Sequence, residues 1–578
     1  MQISNPMSFD RTTYRRVAAE SDYGRNWPVV YILSNEHEAY VGETVDASSR
    51  MAQHYDNPDR QRLKEVRLIT DETFNKSVAL DLESFLISHM SADNRFGQLQ
   101  NGNAGQQKHN YYQKTAYEKQ FQRVWQQLQD LGLATKGISE IENSNIFKYS
   151  PYKSLTTDQY QVCFDIIKQL AQDLQFRRKR PYIVEGGPGT GKTILAVYLM
   201  KLLTVKIEDD TGASDESLVE NLHTVQSLRP NLKIGLVISM KNLRSIVKDT
   251  FGKTYGLNAS MVLSPSEVAS SPQHFDILIV DEAHRLKTAR NIGAEIGSFY
   301  NANEQLGLDR KNGTQLDWIM QKSDQQIFFY DSGQSIRRTD VDAERFAKIR
   351  QDNDTQTFQL TSQLRCGKDG QEYVKYIKSI FSATPPQFPK KFKQYDLKLF
   401  KDVREMTDAI KTKDKSLDLC RNLAGYAWKW NTKGRINPQN PEETDACISR
   451  GLYDIDINGE KYIWNVKYDG WVNTSNAVNE VGCVHTIQGF DLNYAGVIIG
   501  NELKYDFENH RFYIDKDNYF DINGKNKTEE SDLLQYILNI YIILCTRGMC
   551  GTYVYACDKG VREYLSQYIP IVTDKNML

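Results

Sequence analysis

Residues 182–200 read YIVEGGPGTGKTILAVYLM, and this stretch decides the fold. An apolar run, YIV, leads into Gly186-Gly187-Pro188-Gly189-Thr190-Gly191-Lys192-Thr193, and a second apolar run, ILAVYLM, follows at once. The order is strand, glycine-rich turn, helix. Glycines at that turn let backbone N–H groups close around phosphates, a lysine there reaches the β- and γ-phosphates, and the hydroxyl after it holds Mg²⁺. All eight residues, Gly186 to Thr193, are candidate nucleotide-binding residues. A plain glycine-rich turn is the competing reading, and the strand-to-helix context argues against it.

From residue 155 onward the same alternation continues. Apolar bursts at 234–238 (IGLVI), 277–280 (ILIV), 327–330 (IFFY), 497–499 (VII) and 553–555 (YVY) stand between helical patterns. Short continuous apolar strands separated by helices mark parallel sheets covered on both faces. The run at 275–281 ends in Asp281-Glu282, with Ala283-His284 next. On a strand neighbouring the phosphate-loop strand, Asp281 is expected to support Mg²⁺ and Glu282 to polarise an attacking water.

Further elements occur in a fixed order: Leu155-Thr156 with Gln159, residues 236–246 (LVISMKNLRSI), Asp331-Ser332-Gly333-Gln334-Ser335-Ile336, Leu364-Arg365, His485-Thr486-Ile487-Gln488-Gly489-Phe490, and Thr546-Arg547-Gly548. With the phosphate loop they resemble superfamily 1 helicases, and within these the Schlafen-group-3-type DNA/RNA helicase domain of bacterial proteins. The resemblance covers nearly all of 155–578, with Tyr330 standing where the family has a glycine before the Asp. It implies two RecA-like lobes with ATP between them. Gln159 would read adenine and Gln334 the γ-phosphate, and Gln488 and Gly489 would lie near the lobe interface. Arg365 and Arg547, the latter as arginine finger, would stabilise charge only when the cleft closes.

The front of the chain is a different unit. Residues 28–33 (PVVYIL) and 39–42 (AYVG) read as two short strands around a polar turn, 44–55 as a helix, and 76–90 (KSVALDLESFLISHM) as a second, apolar helix. Arg50 and His54 are four apart and share a helix face. Glu83 lies in line with Ala79 and Ile87, where a carboxylate needs a partner, and a metal ion is one. Val30-Tyr31 and Tyr40-Val41-Gly42 resemble the GIY-YIG nuclease family, with Val29-Val30-Tyr31 in place of Gly-Ile-Tyr. The resemblance implies an endonuclease that uses Tyr31, Tyr40, Arg50, His54 and Glu83. Glu83 would hold one divalent cation, Mg²⁺ or Mn²⁺, Arg50 would neutralise developing charge, and Tyr31 or His54 would help deprotonate water. Asn101 or Asn103 stands where the family has a late Asn, and Glu43 where it often has a basic residue. A small α/β partner-binding domain with core tyrosines is the competing reading.

The chain has 578 residues, 40% hydrophobic and 25% charged, with a formal net charge of −2. That is ordinary globular composition, and nucleic acid must be met by local patches and not by a global basic field. Eight cysteines without a C-x-x-C pair read as reduced thiols of a cytoplasmic protein. The opening MQISNPMSFDR lacks a signal-peptide pattern, and no apolar run is long enough to span a membrane.

The expected class is α/β: a small GIY-YIG-like nuclease domain followed by two RecA-like parallel-sheet lobes. Residues 1–26 are expected as an extension, 27–115 as the nuclease domain and 116–150 as a connector. The ATP-binding lobe takes 151–340 and the second lobe 341–578. The polar stretch 100–110 reads as a loop and 502–531 as an insertion or exposed hairpin. Residues 419–430, Trp464 and Trp471 read as core aromatics or as base-stacking ones. Arg177 to Arg180 read as a solvated helix end or a nucleic-acid contact. The functional expectation is an ATP-dependent nuclease-helicase with Mg²⁺ held by Thr193 and Asp281. It would act on nucleic acid, DNA in preference to RNA, in bacterial defence against phage or foreign DNA, with room for a homo-oligomer or partner protein. Its rivals are a repair nuclease-helicase and a non-translocating ATPase switch whose front domain is an interaction module.

Overall fold

The computed structural model describes residues 1–20, 23–101, 111–153, 155–204, 216–290, 295–331, 340–363, 365–366, 369–436, 441–467, 470–487, 490–521, 525 and 529–573. Asn103, Gln334, Leu364, Gln488 and Gly489 lie outside them.

The front unit is built on β1 (Gln2–Ile3), β2 (Met7–Ser8), β3 (Val29–Ser34), β4 (Glu38–Thr44), β5 (Glu65–Thr70) and β6 (Gln98–Leu99). The sheet order is β1-β5-β3-β4-β6, with β2 also on β5. The helices α1 (Thr13–Glu20), α2 (Ala47–Asp56), α3 (Lys76–Asp93) and α4 (Lys114–Asp130) cover it, with the short helix Ile138–Asn143 packed on α3. Strand alternation divides the core. Val29, Tyr31 and Leu33 point toward Val17 of α1 and Met51 of α2. Val30 and Ile32 point toward Leu82 and Leu86 of α3 and Phe121 and Trp125 of α4. Asp46 caps α2 by accepting from the Ser49 N–H, and Asn75 caps α3 by accepting from that of Val78.

Two expectations change here. Residues 1–26 are not a mere extension, because β1 and β2 pair antiparallel with β5. Residues 116–150 are not a mere connector, because Tyr117, Phe121, Val124, Trp125, Leu128 and Ile141 are buried in the front core. The sequence of α4 is rich in Gln and charge, and only its apolar stripe at helical spacing reveals the buried face.

The part of the chain from Pro181 to Ala556 carries two fully parallel sheets. The first has β7 (Pro181–Gly186), β8 (Ile234–Ile238), β9 (Val262–Leu263), β10 (Phe275–Asp281), β11 (Ser323–Tyr330) and β12 (Gln356–Leu360), in the order β12-β7-β11-β10-β8-β9. In the second lobe come β13 (Asp396–Leu399), β14 (Cys420–Ala424), β15 (Ile455–Ile457), β16 (Glu460–Tyr462), β17 (Val481–Gly482), β18 (Leu492–Ile499), β19 (Leu503–Asp506), β20 (Arg511–Ile514) and β21 (Gly548–Ala556). Its sheet order is β13-β21-β18-β14-β17, and β15-β16 and β19-β20 are separate hairpins. These are the two RecA-like lobes, divided after β12 and not at 340/341, because β12 pairs in parallel with β7, and β19-β20 is the hairpin expected within 502–531. One detail differs: β10 does not neighbour the phosphate-loop strand, since β11 lies between them.

Trp464 and Trp471 are buried, so they are core residues and not stacking platforms. The basic run is tied down as a helix end: Arg180 pairs with Asp173 and Lys179 with Asp324. The cysteines are all free. Among the described residues no helix is long and apolar enough to cross a membrane.

Trp125 is 1% exposed, and its indole N–H donates to the Lys136 carbonyl at 2.9 Å. Trp125→Ala is expected to destabilise the front unit by about 3–5 kcal/mol, measured by urea unfolding. A loss below about 1 kcal/mol would return this segment to a connector role.

Candidate functional site

The phosphate loop closes tightly. Gly189 has φ +79°, and a Cβ there would fall 2.0 Å from Gln363 Oε1, so only glycine fits. Lys192, at the start of the helix Lys192–Thr204, donates to the carbonyls of Gly186 (2.7 Å) and Gly187 (2.9 Å). It also lies 3.3 Å from Asp331 at the end of β11. The Thr193 hydroxyl donates to Asp281 at 2.7 Å. The intervening β11 therefore does not separate the two motifs. It supplies Asp331 between them, a residue the sequence placed only in a γ-phosphate-sensing element.

The carboxylates differ in environment. Burial, with Glu282 beside it, pushes Asp281 up to about 7. Burial would raise Glu282 as well, but His284, Lys192 and Arg285 outweigh it and hold it below the ordinary range. His284 Nε2 lies 2.8 Å from the Glu282 carboxylate, and Glu282 itself adopts a left-handed backbone, φ 50°. A hydroxyl and a carboxylate at a helix N-terminus are hard oxygen donors and fit Mg²⁺.

Gln159 is fully buried. Its amide donates to the Thr190 carbonyl at 2.8 Å and accepts from the Thr156 N–H at 3.0 Å. The amide nitrogen thus braces the phosphate loop, while the amide oxygen completes the capping box at the start of its own helix, Thr157–Gln175.

From the second lobe, Arg365 pairs with Asp491. Gln363 donates to the Pro188 carbonyl at 2.6 Å, so this segment lies directly on the phosphate loop. Arg547 is buried, and burial together with the like charge of Arg365 draws it down to about 10. Its Nε has no hydrogen-bond partner among the described residues. Asp491, one residue before β18, escaped the sequence reading. Arg365, Lys148 and Arg547 hold it ionised against the effect of burial. Its signal was its place immediately after the His485–Phe490 element.

In the front unit the structure gathers Tyr31, Tyr40, Arg50 and His54. Tyr31 and His54 are hydrogen-bonded at 2.6 Å (Oη to Nε2), and Arg50 Nε donates to the same hydroxyl at 3.2 Å. The Tyr40 ring packs edge-on against His54 at 5.0 Å. Burial, then Arg50 and Arg60, keep His54 neutral, well below its usual range. Burial and Tyr40 push Tyr31 well above its own. In the tautomer protonated at Nδ1, His54 accepts the Tyr31 proton. Gly42 faces Tyr31 across the β3–β4 pair, and a Cβ there would lie 2.3 Å from the hydroxyl. The Tyr-Val-Gly element thus makes room for its partner tyrosine.

Burial and the Glu43 carboxylate push Glu83 up to about 8. Glu43 is itself paired with Lys76 at 2.6 Å. Asn101 clamps Val41, accepting from its N–H at 3.1 Å and donating to its carbonyl at 2.7 Å. Arg60 was not singled out by the sequence, and its guanidinium covers the Tyr40 ring at 3.9 Å. Among the described residues no three His, Cys, Asp or Glu side chains form a metal cage. A single carboxylate with open positions suits a cation shared with a phosphate substrate.

Glu83 gives a pH signature. The unfolded chain releases its proton near 4.5 and the folded one near 8, so stability falls as pH rises through that window. Glu83→Gln is expected to melt higher than wild type, by a margin that grows from about pH 5 to about pH 8. Mg²⁺ or Mn²⁺ should raise the wild-type melting temperature toward pH 8 and leave the variant unmoved. A margin independent of pH would contradict this placement.

A family model, the Schlafen group 3 DNA/RNA helicase domain, matches residues 179–558. An uncharacterized protein of Saccharomyces cerevisiae, YPL245W, is 25% identical over 415 residues, which is 66% of this chain and 83% of that protein. Among solved structures, the chain is similar to a DEAD box protein from the hyperthermophile Methanococcus jannaschii. That match has 12% identity and a TM-score of 0.24, and covers 74% of this chain and 99% of the other. A second similarity is to Pif1 helicase from Bacteroides, solved with ADP-AlF3 and ssDNA, at 10% identity and a TM-score of 0.24 over 70% of this chain and 92% of that one. The family match spans both parallel sheets and the site residues from Gly186 to Arg547, and by it this chain belongs to the Schlafen group 3 DNA/RNA helicase domain family.

Proposed function

We propose that the chain is an ATP-driven nucleic-acid motor with a metal-dependent endonuclease site in front of it. The observation that carries the motor reading is the meeting of Lys192, Thr193 and Asp281 at the phosphate loop, with Arg365 and Arg547 opposite. Thr193 and Asp281 would hold Mg²⁺, which when bound neutralises phosphate charge. Lys192 releases the Gly186 and Gly187 carbonyls to reach the β- and γ-phosphates. Glu282, kept ionised by its basic neighbours, orients and polarises the attacking water. Arg547, buried and with no ion-pair partner among the described residues, is the finger that meets charge developing in the transition state. Lobe closure and opening around this centre would move the chain along a strand, with DNA favoured over RNA as the track.

The front site suits phosphodiester cleavage. His54, neutral and bonded to Tyr31, is the proton acceptor. Tyr31 relays the proton of a water, and Arg50 stabilises the pentacovalent phosphate. Glu83 would hold one Mg²⁺ or Mn²⁺, whose charge also favours ionisation of that carboxyl. Lys76, paired with Glu43, brings the basic group that the strand itself lacks. Coupling a cutting site to a motor suits processing of long foreign nucleic acid, and defence against phage or foreign DNA is the role proposed.

Lys192→Ala is expected to abolish ATP hydrolysis. Glu282→Gln should keep nucleotide binding and lose turnover, and Arg547→Ala should lower kcat for ATP by about 10³-fold with a smaller effect on affinity. Steady-state ATPase assays with nucleotide-binding titrations check all three, and near-wild-type turnover of Lys192→Ala would end the motor reading.

Glu83→Ala is expected to eliminate Mg²⁺- or Mn²⁺-dependent cleavage of labelled DNA while leaving nucleic-acid-stimulated ATPase intact. Arg50→Ala should give the same cleavage defect with metal binding retained. A wild-type chain that cuts neither DNA nor RNA with either metal would instead make the front unit an interaction module.

A further inference from the structure

The phosphate-loop helix carries a buried cation at its tenth residue, about 14 Å along the axis from Lys192. Lys201 is 2% exposed. Its ammonium donates to the Tyr255 carbonyl, and lies 3.3 Å from the Tyr152 hydroxyl and 3.4 Å from the Asn101 carbonyl. The rings of Tyr152 and Tyr255 flank it at 5.2 Å and 5.5 Å. An ammonium this deep is tolerated only when acceptors surround it, and here the acceptors come from three different parts of the chain. Burial alone draws it down to about 7.

Each acceptor leads to the front site. The Asn101 carbonyl also accepts from the Tyr152 hydroxyl at 2.9 Å, and the Asn101 side chain clamps Val41 by both backbone groups. Val41 sits between Tyr40 and Gly42, the two residues packed on His54 and Tyr31. A second branch starts at Tyr255, whose hydroxyl donates to Asp59 at 3.2 Å. Gln100 then links the Asp59 carbonyl (3.2 Å) to Arg60 (2.7 Å), and Arg60 lies over the Tyr40 ring. Between Lys192 and Tyr31 there is one rigid helix, one cation, one clamped asparagine and one strand.

We propose that Lys201, a motor residue, is a positioning residue for the front site. Through Asn101 and Tyr255 it sets β4 against Tyr31 and His54, so that a displacement of the phosphate-loop helix by bound nucleotide is transmitted to that site. The functional consequence, nucleotide control of cleavage, rests on the nuclease reading of the front site. A staple that merely glued two units together would act alike with and without nucleotide.

The test uses the full chain and reads hydrogen exchange of peptides covering residues 38–44. It is run without nucleotide, with ADP and with a non-hydrolysable ATP analogue, each with Mg²⁺. The Val41 N–H bonded to Asn101 is the internal reporter. Nucleotide is expected to change exchange there by about fivefold, the equivalent of one hydrogen bond's net worth. Lys201→Met should lose this response while still binding nucleotide, and Tyr152→Phe should weaken it. Tyr152→Phe carries the test if Lys201→Met melts too low to fold. No nucleotide-dependent change in wild type, or an unchanged response in both variants, overturns the proposal. Cleavage is measured on the same preparations. If nothing cuts while exchange still responds through Lys201, the nuclease reading fails and the coupling stands. If wild type cuts without any exchange response, the coupling fails and the nuclease reading stands.

Discussion

Lys192 is a cation held in a pocket nearly closed to water, and the first motor sheet is arranged around that fact. An ammonium loses solvation heavily on burial and stays only where oxygen acceptors converge on it. Two of these are carbonyls of its own loop, which the glycines allow to turn inward, and the third is Asp331 at the end of β11. The strand order places β11 next to β7 and β10 next to β11, so three strand ends deliver three polar groups to one point. Because all these strands are parallel, their carboxyl ends lie on one edge, and the helix Lys192–Thr204 adds its N-terminal dipole there.

The second lobe completes this centre with charge of its own. Arg365, paired with Asp491, lies beside the buried Arg547, on which the carboxylates of Asp491 and Glu282 also act. The front unit holds a different arrangement of charge. There an imidazole and a phenol are kept neutral by burial and share one proton, while Arg50 supplies the charge.

Between the two centres, residues 143–153 touch all three units. Lys148 reaches the Asp491 carbonyl in the second lobe, and Phe147 packs on His89 in the front core. Tyr152 meets Asn101 and Lys201. In sequence this stretch is short, polar and aperiodic. Its importance lies in contributing contacts to all three cores.

By itself the sequence determined the α/β class and six of the buried strands of the two parallel sheets, while β14, just as buried, carries no continuous apolar run. Strand-turn-helix around Gly186–Thr193 and the apolar run into Asp281 are local patterns, and local patterns are set by backbone freedom and burial over a few residues. It also placed Tyr31, Arg50, His54 and Glu83 in one unit by helix-face spacing and by resemblance. Only the tertiary structure decided the rest. That β11 separates β7 from β10, that Gln159 braces the loop, and that Asp491 answers Arg365 are matters of which segments meet in space. The same holds for α4, whose polar sequence conceals a core face, and for Lys201, an ordinary lysine until Asn101 and Tyr255 close over it. Pairing between residues a hundred positions apart leaves no periodic trace, because it depends on the free energy of assembled surfaces and not on the conformational preference of any one segment.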